Sequence, residues 1–396
     1  MPQITQVPTS LALLLPLLAS IMALSPLAID LYLPAMPIIA QELNTDMTML
    51  QNTLSMYLFG YALGLFYFGP QADKRPRRML VVLGVSGFLL ATLILPFVTN
   101  IEQFLMVRFI QAFVSSAATV VVPGTIREYY GKNTAKGLSY VSMIMMLAPM
   151  IAPSIGSGLL WLDDWQLIFY VLAIYASLIL ALVIKFLPNS NVKKAPANIS
   201  FLKRYKIVLS HQSARLDIIS SMMISLAFFA YITAIPFVYL TVFEVSEFTF
   251  SALFGANVLA LMIAHFINSK LVVRKGSRKM LSYGLLVAVL SSTLLFILTV
   301  LGMPLPYIVL TIMPLMGSIS MIAVNADAMI LQEFAEQSGT ATAVIGVLRF
   351  GIGALAGPIL AIFFDGTATP FVLLMWCSVA VVLACQLKQR VNAKAN

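Results

Sequence analysis

Gly69-Pro70-Gln71-Ala72-Asp73-Lys74-Arg75-Pro76-Arg77-Arg78-Met79-Leu80 decides how this chain is built. A tight knot of cations separates two long apolar runs. About 200 residues on, half of the 396-residue length, Lys275-Gly276-Ser277-Arg278-Lys279-Met280-Leu281 again sits between two apolar runs. Taken alone, the echo is open to a second reading, a coincidence of basic loops. What lies on either side of the two loops decides between coincidence and duplication.

Outward from these loops the chain is mostly hydrocarbon. It is 60% hydrophobic and only 10% charged, with mean hydropathy +0.96. Soluble domains run at about 45–50% apolar and about 25% charged, so the natural solvent of this chain is lipid. A spanning helix needs roughly 20 apolar residues. Apolar runs fall at about 10–38, 48–70, 79–97, 103–124, 137–161, 166–187, 214–240, 249–269, 280–301, 306–331, 341–364 and 370–387, twelve in all. The run that starts at Leu11 is too long for the apolar core of a leader and has no Lys or Arg before it, so it reads as the first span.

The charges test that count independently. With the N-terminus inside, the inner loops hold 22 of the 24 Lys and Arg, while the outer loops hold acids alone: Glu42, Asp46, Glu102, Asp163, Asp164, Glu244, Glu247 and Asp365. This is the asymmetry that the positive-inside rule demands. A missed span in the middle would send the basic loops of one half outside. The net charge of +9 is therefore topological, and no nucleic-acid partner is expected. Pro188, Pro196 and a run of cations mark the longest inner loop, giving a bundle over 1–187, a linker over 188–213 and a second bundle over 214–396. The expected fold is an all-α membrane protein whose twelve helices form two pseudo-symmetric six-helix bundles. Duplicated halves with a site at their interface are a transporter plan.

Four motifs carry a resemblance. The first is Asp30-Leu31-Tyr32-Leu33-Pro34-Ala35-Met36-Pro37, and the second is the opening loop, which has Pro76 where a glycine is usual. The third is Arg108-Phe109-Ile110-Gln111-Ala112 on span 4. The fourth, on span 5, is Ala148-Pro149 with Ala152-Pro153-Ser154-Ile155-Gly156-Ser157-Gly158, where Ala152 and Ser157 stand at positions often held by Gly. In this order the set resembles the major facilitator superfamily, and within it the twelve-span drug:proton antiporters of the bicyclomycin/chloramphenicol-resistance group. The resemblance implies proton-coupled efflux of lipophilic drugs, phenicol-like neutral or cationic, by alternating access. It also implies a monomer in a bacterial inner membrane with both termini cytoplasmic, and drugs, protons and lipid as its partners.

Two basic residues, Arg108 and Arg349, fall outside the loop tally and lie within apolar runs. A charge in a bilayer is costly, about 2.5–3.5 kcal/mol on insertion scales, so each needs a reason to be there. Asp30 is read as the proton-coupling and substrate-sensing acid; the competing reading is an interfacial acid just past a short first span. Arg108 keeps its proton in any environment. It is expected to face the central cavity and bias a neighbouring acid, with Gln111 one turn on; the competing reading is an arginine that caps backbone carbonyls. Arg349 is its second-half counterpart. Asp327, after Asn325 late in span 10, is a third candidate acid or a hydrated one near the cytoplasmic face, and Asp217 reads as interfacial. In related proteins the loop with Gly69, Asp73, Arg77 and Arg78 forms a charge-linked clasp that includes helix 11; a solvated basic loop is the alternative. Pro149, Pro153 and Gly156 share a helix face and suit a hinge between the halves, while Gly353 and Gly357 suit close packing. Tyr57, Met146, Tyr231, Phe237 and Asn257 lie on spans that line the cavity in the superfamily, and their types suit loose drug recognition. Met22 is neutral where some relatives carry a second acid, which disfavours permanent cations.

Cys377 and Cys385 are eight apart on one helix and cannot pair. His211 and His265 are far apart in sequence, so neither a metal nor a catalytic pair is expected. The chain has no GxxxxGK[ST], and no cofactor is expected. A proton-coupled exporter of a small metabolite, such as a peptide or amino acid, stays open on the same scaffold. A membrane enzyme lacks its nucleophile–base pair, and a channel does not explain Asp30 and Arg108.

Overall fold

The computed structural model describes residues 11–72, 75–130, 134–162, 164–188, 206, 208, 210–211, 214–334 and 338–395. They form helices laid end to end with short turns, and no strand occurs among the described residues. Span 1 is Leu11–Asp30 followed by a 3₁₀ turn at Leu33–Ala35 and Met36–Glu42. Spans 2 and 3 are Met47–Ala72 and Arg77–Ile94. Span 4 is Ile101–Thr119 with Val122–Tyr130; spans 5 and 6 are Thr134–Leu160 and Gln166–Phe186. Span 7 is Arg215–Pro236 extended by a π-helical segment, Phe237–Val242. Spans 8, 9 and 10 are Glu247–Lys275, Ser277–Val300 and Leu305–Glu333. Span 11 is Ser338–Gly353 with Ala356–Ile362, and span 12 is Thr369–Ala395.

Ten of these stretches are long and apolar enough to cross a membrane on composition alone. Span 2 has the length but carries more polar residues, among them Gln51 and Asn52, and span 5 is apolar over its described stretch Leu147–Leu160. Asn52 of span 2 and Ser157 of span 5 reappear below at contacts between the bundles.

Packing repeats with a step of six. Spans 1 and 5, 1 and 6, 2 and 4, 3 and 4, and 3 and 6 pack together, and so do 7 and 11, 7 and 12, 8 and 10, 9 and 10, and 9 and 12. The main pairs that cross between the bundles are 2 with 11 and 5 with 8, and these too exchange under the same step. The repeat of the two basic loops therefore belongs to a repeat of whole helix bundles. Glycines set matching close approaches: a Cβ on Gly60 would strike the Phe109 carbonyl, joining spans 2 and 4. One on Gly317 would lie 3.2 Å from the Ala260 carbonyl, joining spans 10 and 8. Without a hydrophobic force between helices in lipid, such backbone proximity supplies the packing. Met106, Ile174, Leu178, Leu290 and Leu310 point outward and exposed, as a lipid-facing surface requires.

Described basic loop residues gather at one end of the bundles, here the basic face, and the acids Glu42, Asp46, Glu102, Glu247 and Asp365 at the other, the acidic face. Most of the linker expected over 188–213 lies outside the described residues. Val208 is fully buried and packs with Ala214, Ile218, Ile330, Phe334, Val344 and Ile345, so the end of that segment seats on the second bundle.

Candidate functional site

Proline decides where Asp30 sits. Pro34 has no N–H to return to the carbonyl four residues back, so the first helix ends at Asp30 and resumes after a 3₁₀ turn. A Cβ on Gly156 of span 5 would collide with the Leu31 carbonyl in this break. Gly156 thus packs span 5 onto span 1 inside the first bundle, not between the halves as expected. The contacts of span 5 with the other bundle come from its neighbours: Ser157 Oγ lies 2.7 Å from Ser251 Oγ, and Ser251 donates to the Pro153 carbonyl at 2.9 Å. Pro149 lies within the same continuous helix.

Asp30 is 2% exposed, and its Oδ1 has no hydrogen-bond partner among the described residues. It is therefore not an interfacial acid. Tyr231, on span 7 of the other bundle, lies within its electrostatic reach.

Arg108 is fully buried. Its Nη2 donates to the Ala28 carbonyl at 2.9 Å and its Nη1 to Gln111 Oε1 at 2.8 Å. Gln111 in turn donates to Thr92 at 2.7 Å. The guanidinium is sandwiched between the rings of Tyr32 and Tyr57, at 4.4 and 4.7 Å from their centroids. Tyr57 donates to Ser25 at 3.1 Å, and the Tyr32 hydroxyl lies 3.0 Å from that of Thr53. Instead of an arginine facing a cavity and biasing an acid, the structure has one that holds a carbonyl two residues before Asp30. Among the described residues it has no carboxylate partner. Two faces of aromatic π-density and two neutral acceptors replace the missing anion. Tyr57 and Gln111, expected to line the cavity, are parts of this box, and Tyr32 is the part that was not singled out.

Across the interface, Tyr231 and Tyr239 of span 7 both lie beside Asn257 of span 8. Rings run in a chain from Tyr231 to Phe254, Phe250 and Tyr239, with centroids 6.0, 5.9 and 6.3 Å apart. Phe237 packs on Phe364, just after span 11, at 5.3 Å. Met146 lies in the span 5 helix, and its side chain is outside the described residues.

The second-half arginine has the partner that the first lacks. Arg349 forms an ion pair with Asp327, and Ser221 donates to Asp327 at 2.8 Å. Two candidates read separately in the sequence are thus one unit joining spans 7, 10 and 11. The amide of Asn325 is used in joining spans 10 and 8, donating to Asn268 at 2.7 Å.

At the basic face each half has its own clamp. Arg77 pairs with Glu128 at the end of span 4, and Arg78 donates to the Ile184 carbonyl of span 6. The clasp to helix 11 expected of this loop is not what these two arginines make; Asp73 lies outside the described residues, and Gly69 sits in the last turns of the span 2 helix. Arg278 grips Asp217 with both nitrogens, at 3.0 and 3.1 Å, and Gln386 and Gln389 donate to the same carboxylate at 3.2 and 3.1 Å. Asp217, in the first turn of span 7, is 3% exposed, so at that end of the helix it serves as a buried anchor. At the acidic face Gly357 N–H donates to Ser55 at 2.9 Å, and a Cβ on Gly353 would meet the Phe229 ring, which gives both glycines the close-packing place expected of them.

Two like-built bundles, joined chiefly by spans 2 with 11 and 5 with 8, with a buried acid facing one bundle from the other, define a membrane transporter. The chain belongs to the Major Facilitator Superfamily, whose family model matches residues 18–358. It is 30% identical over 378 residues to a bicyclomycin resistance protein homolog of Haemophilus influenzae, covering 94% of this chain and 95% of that one. It is 27% identical over 398 residues to a chloramphenicol resistance protein of Pseudomonas aeruginosa, covering 97% and 92%. The solved structure of the nucleoside transporter NupG superposes with a TM-score of 0.74 at 13% identity, covering 96% of this chain and 99% of that one, a likeness of fold.

Proposed function

We propose that this chain is a proton-driven exporter of lipophilic drugs, working by alternating access as a monomer in a bacterial inner membrane with both termini cytoplasmic. The names of its resistance relatives support the substrate class, and the charge asymmetry of the loops supports the orientation. The observation that carries the coupling is Asp30: a carboxyl 2% exposed, without a hydrogen-bond partner for Oδ1 among the described residues, at a helix break that faces the other bundle. A charge there is costly, so the site favours a proton or a ligand over a bare carboxylate. Arg108 acts on Asp30 through the backbone, because it holds the Ala28 carbonyl. Each proton that enters gains about 2.3 kcal/mol per 100 mV. At 1.4 kcal/mol per tenfold this sustains roughly a 50-fold substrate gradient.

Everted vesicles that contain the protein should show dye and phenicol transport on acidification. Asp30→Asn should bind substrate but lose the response to the proton gradient. Proton-driven transport by Asp30→Asn at the wild-type rate would exclude this assignment.

A further inference from the structure

The two repeated basic loops spend their charge differently. In the first half Arg75 donates to Gln71 at 3.2 Å, Arg77 pairs with Glu128, and Arg78 holds the Ile184 carbonyl. In the second half only Arg278 is used internally, on Asp217, Gln386 and Gln389. Lys270, Arg274, Lys275 and Lys279 are exposed, and their side chains make no hydrogen bond or ion pair among the described residues. No Asp or Glu occurs from residue 248 to residue 300, which takes in all of spans 8 and 9 beyond Glu247. The hairpin thus holds four cations and no anion of its own.

These cations continue the surface that faces lipid. On span 8 the exposed residues Ile263, Phe266 and Ile267 are followed, at helical spacing, by Lys270, Val273 and Arg274. Val273 is 87% exposed among the charges. On span 9 Lys279 opens a like stripe of Tyr283, Leu286 and Leu290. Two of the cations lie over rings of the same surface. Lys270 Nζ is 5.5 Å from the centroid of Phe266, and Lys275 Nζ, at the end of span 8, is 4.7 Å from that of Tyr283 on span 9. Lys275 therefore brings both helix ends to one patch, with Gly276 alone between them.

We propose that the hairpin of spans 8 and 9 is a docking surface for an anionic phospholipid. Lys270, Arg274, Lys275 and Lys279 receive the phosphate headgroup, and the apolar stripes that run on from them receive the acyl chains. The headgroup supplies the anion that the hairpin lacks, and phosphate oxygens take strong charge-assisted bonds from ammonium and guanidinium groups. The long stems of Lys and Arg lie on apolar surface while their heads reach the headgroup layer. Clusters of such cations beside a spanning helix draw anionic lipid. A soluble acidic partner would match the cations but leave the stripes uncovered. The first half offers no equal surface, because its arginines are spent within the bundle. The patch lies on the outside of the second bundle, away from the path between the halves, so it stands whether or not the export reading does.

The test reads lipid contact, not transport. The full chain with Cys377→Ser carries a bimane fluorophore on Ile267→Cys in phosphatidylcholine vesicles. Brominated phosphatidylglycerol or brominated phosphatidylcholine is added as the quenching guest. At Ile267 the anionic guest should be preferred about fivefold or more, one cation's share of the attraction. A bimane on Leu83→Cys, exposed on span 3 of the first half, should show a preference below about twofold. Lys270→Gln with Arg274→Gln should bring the Ile267 preference below about twofold. Unchanged quenching by brominated phosphatidylcholine then shows that this variant sits in the bilayer. Equal quenching by the two guests at Ile267, with all four cations in place, would overturn the site, and this comparison needs no charge variant. An equal preference at Ile267 and Leu83 would overturn it too, since that is the general pull of a basic face. Loss of the preference to added inorganic phosphate at constant ionic strength would replace the lipid with a free ion and overturn the docking surface.

Discussion

Arg108→Lys keeps the charge and changes the shape, so it isolates what the guanidinium does. In the wild type two bonds from the charged group, at 2.9 Å to Ala28 and 2.8 Å to Gln111, hold the side chain, each worth roughly 1.5–3 kcal/mol. Two rings at 4.4 and 4.7 Å each add about 1–2 kcal/mol in a dry site. An ammonium is a point charge on a flexible stem and cannot serve both acceptors from between two rings. It keeps one bond and one ring contact and leaves either Gln111 Oε1 or the Ala28 carbonyl unmatched. The expected loss is about 3 kcal/mol. For a cooperative unit of one bundle, about 2–4 °C per kcal/mol puts the fall in Tm at about 6–12 °C, read by the loss of the monomer peak after heating in detergent. An Arg108→Lys protein within about 2 °C of the wild type would refute the carbonyl-and-aromatic box as the reason for a buried cation here.

Two more outcomes follow from the clamps and gates. Gly357→Ala places a methyl against Ser55 Oγ and 2.8 Å from Asn52 Oδ1; it should force spans 2 and 11 apart at the acidic face and raise thiol labelling of a Ser251→Cys probe several-fold, and unchanged labelling would count against this contact as a seal. Asp217→Ala removes the carboxylate that Arg278, Gln386 and Gln389 share, so Cys385, now 8% exposed, should react with a maleimide about tenfold faster, while no change in rate would show that the clamp does not hold span 12.

The bundles were legible because lipid imposes simple rules on a sequence. Basic loops, apolar run lengths and the echo of Arg77 in Arg278 state the topology without any tertiary information. Asp30 and Arg108 were legible for a related reason, since a charge inside an apolar run needs a cause. Their partners were not. Arg108 is held by a backbone carbonyl and two rings, groups that occur everywhere in this chain. Arg349 and Asp327 sit on different spans, and hydropathy does not encode which faces of two helices meet. Tyr239 escaped notice because its position depends on a π segment, which leaves no mark in residue type. Asp217 and Glu128 had a usable signal: each is an acid on the basic face, close in topology to one of the two repeated loops.

Each half closes its own ion pair, Arg77 with Glu128 and Arg278 with Asp217. Across the seam at the acidic face the bonds are neutral, between Ser157, Ser251 and the Pro153 carbonyl and between Gly357 and Ser55. Strong links are thus kept where nothing has to part, and weak ones where two rigid bodies must separate. A rocking motion would break neutral bonds that water can replace, so a single proton's worth of work can bias its direction.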